Sequence, residues 1–315
     1  MSLFQYFITA TPYPELAMRW GYYRIIKPLS NKKMMRIPEK KEGVKSNSSN
    51  PRVELDVLLN EIRSIGICEG DLVIIHSSAN GLGDLKCNPN DLLKGLLELV
   101  GSNGTIAMPA FPDESRLKVE DGIPIYDPKK SVAWTGMMPN LLLRTKGAIR
   151  SQFPYNPLVA YGIKAEEMMR QNLDTDLAHG PKSCWGYCVE HHAKVLYLGL
   201  PAYHSLTLLH TIEDYNHNDW LPKGWFENRK YLIKDGTETK LQSVKVRINK
   251  WSQYLAEKHT EHKYIKAGLI KARRIGGIDL RYIEDAYYFI ETIEKNWAKL
   301  KNYYLPIRYR NRKPY

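Results

Sequence analysis

A chain of 315 residues, 43% of them hydrophobic, has enough apolar material for a buried core, and no run of about 18 apolar residues is present to form a spanning helix. The net charge of +12 does not mark a nucleic-acid protein, because it sits at the two ends: residues 1–50 hold nine Lys/Arg against three Asp/Glu, and residues 291–315 hold seven against two. Four cysteines (Cys68, Cys87, Cys184, Cys188) form neither a disulfide framework nor a Cys-x-x-Cys metal knuckle, and the start of the chain has no apolar h-region, so the expectation is a cytoplasmic protein with reduced thiols.

Residues 1–37 mix aromatics and basics (Tyr13, Trp20, Tyr22, Tyr23, Arg24, Lys27). They read either as a short amphipathic helix on a membrane or partner, or as an extension packed on the main domain. Residues 38–51 are polar and Ser/Asn-rich and read as a linker; the main domain is expected over residues 52–297, with a basic tail at 298–315. Leu55, Leu58, Leu59 and Ile62 recur at helical spacing, and Leu72–His76 reads as a strand. A helix over Asn90–Val100, capped by Asn88 or Asn90, leads to the strand Thr105–Met108, which ends at Pro109. A polar loop, Asp113–Lys130, is followed by a helix over Thr135–Lys146. A strand at Val195–Leu198, closed by Gly199, precedes a helix from Ser205 to Tyr215. Lys230–Lys234 and Leu241–Ile248 read as a strand pair, and a strand near Leu269–Arg273 precedes a helix over Leu280–Trp297. Strands separated by helices predict an α/β fold: a mainly parallel central sheet with helices on both faces, plus a small antiparallel β flap.

Six of the nine histidines fall within residues 179–217. Histidine exchanges protons near neutral pH, so the cluster directs attention there. Within it, His210 and Glu213 stand three apart on a predicted helix that starts beyond the carboxyl end of a strand, where open α/β sheets bind ligands. A carboxylate beside an imidazole raises its basicity. By itself a His-x-x-Glu pair is more often structural. No His-Glu-x-x-His or second ligand at fixed spacing supports a zinc site. The small-residue turn His76–Gly83 and the segment Gly101–Phe111 could hold a ligand by the backbone, but neither matches a P-loop or a dinucleotide fingerprint.

Taken in order, these segments resemble the aminoglycoside 3-N-acetyltransferase family from about Val53 to Trp297. The marks are Gly70-Asp71-Leu72-Val73-Ile74-Ile75-His76-Ser77-Ser78, Val100-Gly101-Ser102-Asn103-Gly104-Thr105 with Met108-Pro109, Tyr126-Asp127-Pro128, Leu143-Arg144-Thr145 with Arg150-Ser151, and Thr207-Leu208-Leu209-His210-Thr211-Ile212-Glu213. The resemblance implies an acyl-CoA-dependent N-acyltransferase, without a metal, in which an amine attacks the thioester within a ternary complex. It assigns His210 and Glu213 to deprotonating and orienting the amine, with His179 as a second candidate for the base. It assigns His76, Ser77, Ser78, Met108, Pro109, Phe111, Ser151 and Thr207 to the acetyl-CoA channel, with the Ser77–Ser78 turn and Thr207 as donors near the thioester. The sequence departs from the family where the acceptor is held: Phe153 stands where His precedes Pro, Cys184 follows Ser183 where Pro is usual, and Leu206 replaces an Asn. These departures suit an amino-sugar acceptor, nucleotide- or lipid-linked, at the inner face of a membrane that the basic termini contact, with oligomerisation left open. The alternatives are an aminoglycoside resistance enzyme, a non-catalytic membrane-associated scaffold on the same fold, and a zinc hydrolase using the histidine cluster.

Overall fold

The computed structural model describes residues 9–29, 52–171, 174–218, 222–306 and 309. In chain order the first half contains α1 (Tyr13–Gly21), α2 (Leu55–Ser64), β1 (Leu72–Ser77), α3 (Pro89–Val100), β2 (Thr105–Pro109), β3 (Lys118–Glu120), β4 (Ile123–Tyr126), α4 (Met137–Leu142), β5 (Ile149–Arg150), β6 (Leu158–Gly162) and α5 (Ala165–Met169). The second half contains α6 (Cys184–Glu190), β7 (Lys194–Leu198), α7 (His210–Tyr215), β8 (Phe226–Asp235), β9 (Glu238–Arg247), α8 (Glu257–Lys266), β10 (Lys271–Ile275), β11 (Ile278–Ile283), α9 (Ala286–Lys295) and α10 (Trp297–Leu300).

Seven strands form the central sheet in the order β10-β11-β7-β1-β2-β6-β5. Strand β1 lies in its middle and is covered on both faces, which is why it reads as an unbroken apolar run. Val73 and Ile75 pack with Leu58, Ile62, Leu92, Leu96 and Leu142 on one face; Leu72 and Ile74 pack with Met168, Trp185, Ile212 and Phe289 on the other. Helices therefore cover both faces, as expected. The sheet itself is mixed and not mainly parallel: of its six strand pairings among the described residues only β7–β1 and β1–β2 are parallel, and the four that involve β6, β5, β11 and β10 are antiparallel. Two strands account for much of the difference. Leu158–Gly162 had no place among the expected elements, and Ile278–Ile283 occupies the start of the expected helix Leu280–Trp297. Ile278, Leu280 and Tyr282 are buried at every second position, the period of a strand.

The expected flap is larger than two strands. Strands β8 and β9 form a hairpin of two ten-residue strands, and β4 adds to β8 in parallel with β3 beside it, so the segment expected as a polar loop supplies half of a four-stranded sheet. The helix expected over Thr135–Lys146 is shortened to α4: Gly136 at φ +122° excludes residues 135 and 136 on its N-terminal side, and residues 143–146 form turns and a bend beyond Leu142. Helix α3 begins as predicted, with the Asn88 side chain accepting from the N–H groups of Asn90 and Asp91. The free Cys184 and Cys188 are buried on α6.

Both ends of the described chain pack on the domain. Glu15 on α1 is buried and accepts from the N–H groups of Glu257, Lys258 and His259 at 2.9, 3.0 and 3.3 Å. It caps α8, whose own N-cap residue, Ala256, offers no side-chain acceptor. Asn302, Tyr303 and Leu305 are buried too, although the domain was expected to end at residue 297. The expected linker, 38–51, and most of the C-terminal basic residues lie outside the described residues.

The turn after β1 and the turn after β7 meet backbone to backbone. A Cβ at Gly81 would lie 1.6 Å from the Gly199 carbonyl oxygen, and Gly199 itself holds φ +73°. No side-chain rotation relieves that overlap. Gly81→Ala is expected to destabilise the fold by on the order of 3 kcal/mol, read as a lowered midpoint in guanidinium unfolding; an unchanged midpoint would show that the two turns separate freely.

Candidate active site

Beyond the carboxyl end of β7 the chain turns at Gly199 and reaches α7 through a 3-10 turn, Thr207–Leu209. Helix α7 places His210 and Glu213 one turn apart on one face. His210 Nδ1 and Glu213 Oε1 are 2.7 Å apart, which leaves Nε2 as the ring nitrogen outside that bond. The His210 side chain is 22% exposed and that of Glu213 only 2%.

A carboxylate so deeply buried needs compensation, and it has it. Tyr303 donates its hydroxyl to Glu213 Oε1 at 2.7 Å, and Trp225 donates its indole N–H to Oε2 at 3.0 Å. Arg247 Nη1 in turn donates to the Tyr303 hydroxyl at 2.5 Å. Burial alone would raise the Glu213 pKa; the charges of His210 and Arg247 and the hydrogen bonds from His210 and Tyr303 outweigh it and hold the group at about 2. Burial would likewise lower the pKa of Arg247, but Tyr303 and Glu213 more than reverse this and push it up. Burial raises the Tyr303 phenol well above its ordinary value and keeps it a donor.

His179 joins this group through Asp214. Its backbone N–H donates to Asp214 Oδ2 at 2.8 Å, its ring Nδ1 lies 3.6 Å from the same oxygen, and its ring centroid is 5.3 Å from that of His210. Burial lowers the His179 pKa despite Asp214, so the ring is neutral near pH 7. Its Nε2 is buried with no hydrogen-bond partner. Two cavities meet at His210 and Arg247. The larger, about 110 Å³, is lined by Ser205, Leu206, Thr207, Thr260 and Asn302; the smaller, about 10 Å³, by Tyr155, Asn156, His179 and Asp214.

The structure thus brings His210, Glu213, His179 and Thr207 together. The other expected residues lie elsewhere. His76 is inside β1, stacked on Tyr197 at 4.8 Å between ring centroids, and burial drives its pKa down to about 3. Ser77 ends β1 opposite Leu198, and the Ser78 N–H is taken by the Leu198 carbonyl at 3.1 Å, so it is not free to stabilise an oxyanion. Met108 and Pro109 are buried β2 residues, and Phe111 packs edge-on against Trp134. Ser151 is fully buried: its hydroxyl accepts from Phe153 N–H and its carbonyl from the Tyr126 hydroxyl. None of these seven lines either cavity. Among the described residues no group of three or more His, Cys, Asp or Glu side chains could hold a metal ion.

Residues 74–291, more than half of the chain, match the family model for aminoglycoside 3-N-acetyltransferase. The chain belongs to this family. It is 30% identical over 181 residues to aminoglycoside N(3)-acetyltransferase IX of Micromonospora chalcea (53% of this chain, 64% of the relative), and 29% identical over 170 residues to aminoglycoside N(3)-acetyltransferase VIII of Streptomyces fradiae (50% and 59%). These matches span less than two thirds of either relative. The fold is shared with solved structures. AAC-IIIb in its binary complex with CoASH superposes at a TM-score of 0.65 with 24% identity, covering 78% of this chain and 97% of that one. Sisomicin-bound AAC-VIa superposes at 0.67 with 19% identity, covering 80% and 99%.

The site of this family member includes residues that the sequence does not announce. Arg247 ends a strand of alternating polar residues, Trp225 precedes the hairpin, and Tyr303 lies past the expected domain limit. Asp214, next to Glu213, carried a detectable signal: it is a second acid in the same short helix. Because the folded-state pKa of Glu213 lies below its ordinary value of 4.5, its ionisation stabilises the protein above about pH 4.5, and that contribution is lost as the pH falls towards about 2. Tyr303→Phe removes one donor to the carboxylate. It is expected to cost about 2 kcal/mol at neutral pH and to start acid unfolding at a higher pH than in the parent. Urea unfolding repeated between neutral and acid pH measures both, and an unshifted acid limb would exclude this coupling.

Proposed function

We propose that the protein transfers an acetyl or short acyl group from acyl-CoA to the amino group of an amino sugar. The observation that carries this reading is the hydrogen bond between His210 Nδ1 and the buried, ionised Glu213, at the junction of two cavities. An ionised carboxylate on Nδ1 favours the tautomer with its proton there, so that Nε2 carries a lone pair for the incoming ammonium. The neutral amine nitrogen then attacks the thioester carbonyl carbon, the carbon–sulfur bond breaks as the tetrahedral adduct collapses, and the surplus proton of the new amide nitrogen passes to the departing sulfur, releasing the amide and the CoA thiol. Glu213 supports the imidazolium that His210 becomes. Thr207, in the same cavity as His210, supplies a hydroxyl for the thioester oxygen as it gains charge. Three things favour His210 over His179 as the base: its partial exposure, its ionised partner, and the burial of the His179 ring. His179 and Asp214 support the His210 ring from behind.

The reading extends to a cytoplasmic enzyme acting on a nucleotide-linked or lipid-linked amino sugar. Arg247 faces Glu257 at the larger cavity, and Lys245 and Arg247 stand beside Glu213 and Asp214 at the smaller one, so the charge is balanced, whereas a polycationic aminoglycoside gains most from an acidic cleft. Phe153, where a histidine is usual in the family, is packed with Tyr126 and Tyr231 and cannot serve an acceptor, and Leu206 lines the larger cavity. His210→Ala and Glu213→Gln are each expected to lower kcat by about 100-fold or more while the acyl-CoA KM changes little. Mass spectrometry of products from aminoglycosides, free amino sugars and sugar nucleotides, each with several acyl-CoAs, identifies the acceptor. Turnover of Glu213→Gln within tenfold of the parent would end the proposed role of the pair, and acylation confined to aminoglycosides would replace the proposed acceptor.

A further inference from the structure

Part of the wall of the larger cavity has no task in the acyl transfer described so far. Helix α8 contributes Glu257 and Thr260 to it, and the C-terminal segment contributes Asn302. Thr260 is fully buried, and its hydroxyl has no hydrogen-bond partner among the described residues. A threonine within a helix ordinarily turns its hydroxyl onto a carbonyl one turn back, as Thr211 does to Leu208 at 2.7 Å. A buried hydroxyl left unmatched is costly, and valine would fill the same space without that cost. Thr260 lines a cavity that also holds His210, so the missing partner is a polar group that arrives with the substrate.

The charged groups of this wall are already matched. Glu257 is bound by Arg19 of α1, and Arg247 donates to Tyr303 and is held by the charge of Glu213. The Thr260 hydroxyl and the Asn302 amide are neutral, and Asn302 is only 6% exposed. Neutral groups that both donate and accept suit the hydroxyls of a sugar ring. The smaller cavity, at about 10 Å³, has room for no more than about one water, so an acceptor with its nitrogen at His210 places its ring in the larger one. The wall also depends on chain outside residues 74–291, which carry the family match. Asn302 follows that stretch; Glu15 and Arg19 precede it, one capping α8 and the other binding Glu257. We propose that Thr260 and Asn302 determine acceptor specificity: they bind ring hydroxyls of the amino sugar and so select which amine is delivered to Nε2 of His210.

This proposal rests on the amino-sugar reading, and one set of measurements separates the two. Steady-state kinetics of the full chain are measured with acetyl-CoA and either glucosamine or its uridine diphosphate conjugate, each beside derivatives lacking one ring hydroxyl. Thr260→Val and Asn302→Ala are each expected to raise the acceptor KM about tenfold while the acetyl-CoA KM stays within about twofold. In the parent, one deoxy derivative is expected to lose at least about tenfold in kcat/KM, and in Thr260→Val that loss shrinks to about twofold, because the group that the hydroxyl met is gone. Far-UV circular dichroism and an unfolding midpoint no lower than the parent's establish that Thr260→Val is folded. A valine variant with a raised midpoint and an unchanged acceptor KM overturns the proposal, as does an equal rise in both KM values; in either case amine acylation by the parent leaves the amino-sugar reading standing. Acylation of neither acceptor by the parent ends both.

Discussion

The buried carboxylate of Glu213 constrains everything around it, because an ionised group with 2% of its side chain in contact with solvent is stable only while each of its acceptor positions is matched. Its partners come from four separated places: His210 from the same helix, Trp225 from the segment before β8, Arg247 from the end of β9 through Tyr303, and Tyr303 from the far C-terminal segment. The hairpin, the helix and the C-terminal chain are thereby held to one point. The same matching fixes which nitrogen of His210 is free, so electrostatic stability and chemical competence have one origin.

The sheet positions that point. Strand β7 is the outer member of the three-strand parallel centre, and its carboxyl end opens towards α7. The antiparallel strands on either side complete the sheet without placing a helix crossover over that end. The contact between Gly81 and Gly199 keeps the two turns above β1 and β7 so close that only backbone fits between them. In the same place the Ser78 N–H is bound to the Leu198 carbonyl.

Much of this was legible where local pattern and tertiary role agree. The apolar run of β1, the Asn88 cap and the His210–Glu213 spacing each express a local rule that the fold keeps. Legibility failed where a residue's role is set by distant partners. His76 and Ser151 sit in motifs shared with the family, yet their side chains are used inside the core: one stacks on Tyr197, the other satisfies a backbone N–H. The strand Ile278–Ile283 joins directly to a helix of similar apolar content, so the change of period from two to near four is easily run together. Tyr303 belongs to a stretch whose basic, aromatic composition reads as surface until the carboxylate it serves is known.

Tyr303 also sets when this site comes into being. It donates to a carboxylate 90 residues upstream of it in the chain. A ribosome making this protein therefore releases the helix, the histidine and the glutamate long before the phenol that completes their surroundings. Until then Glu213 has lost a donor and the route by which Arg247 is connected to it, and water or a proton must take their place. The set of hydrogen bonds around Glu213 is complete only once residue 303 has been made, which ties the state of His210 to the integrity of a segment far from it in sequence.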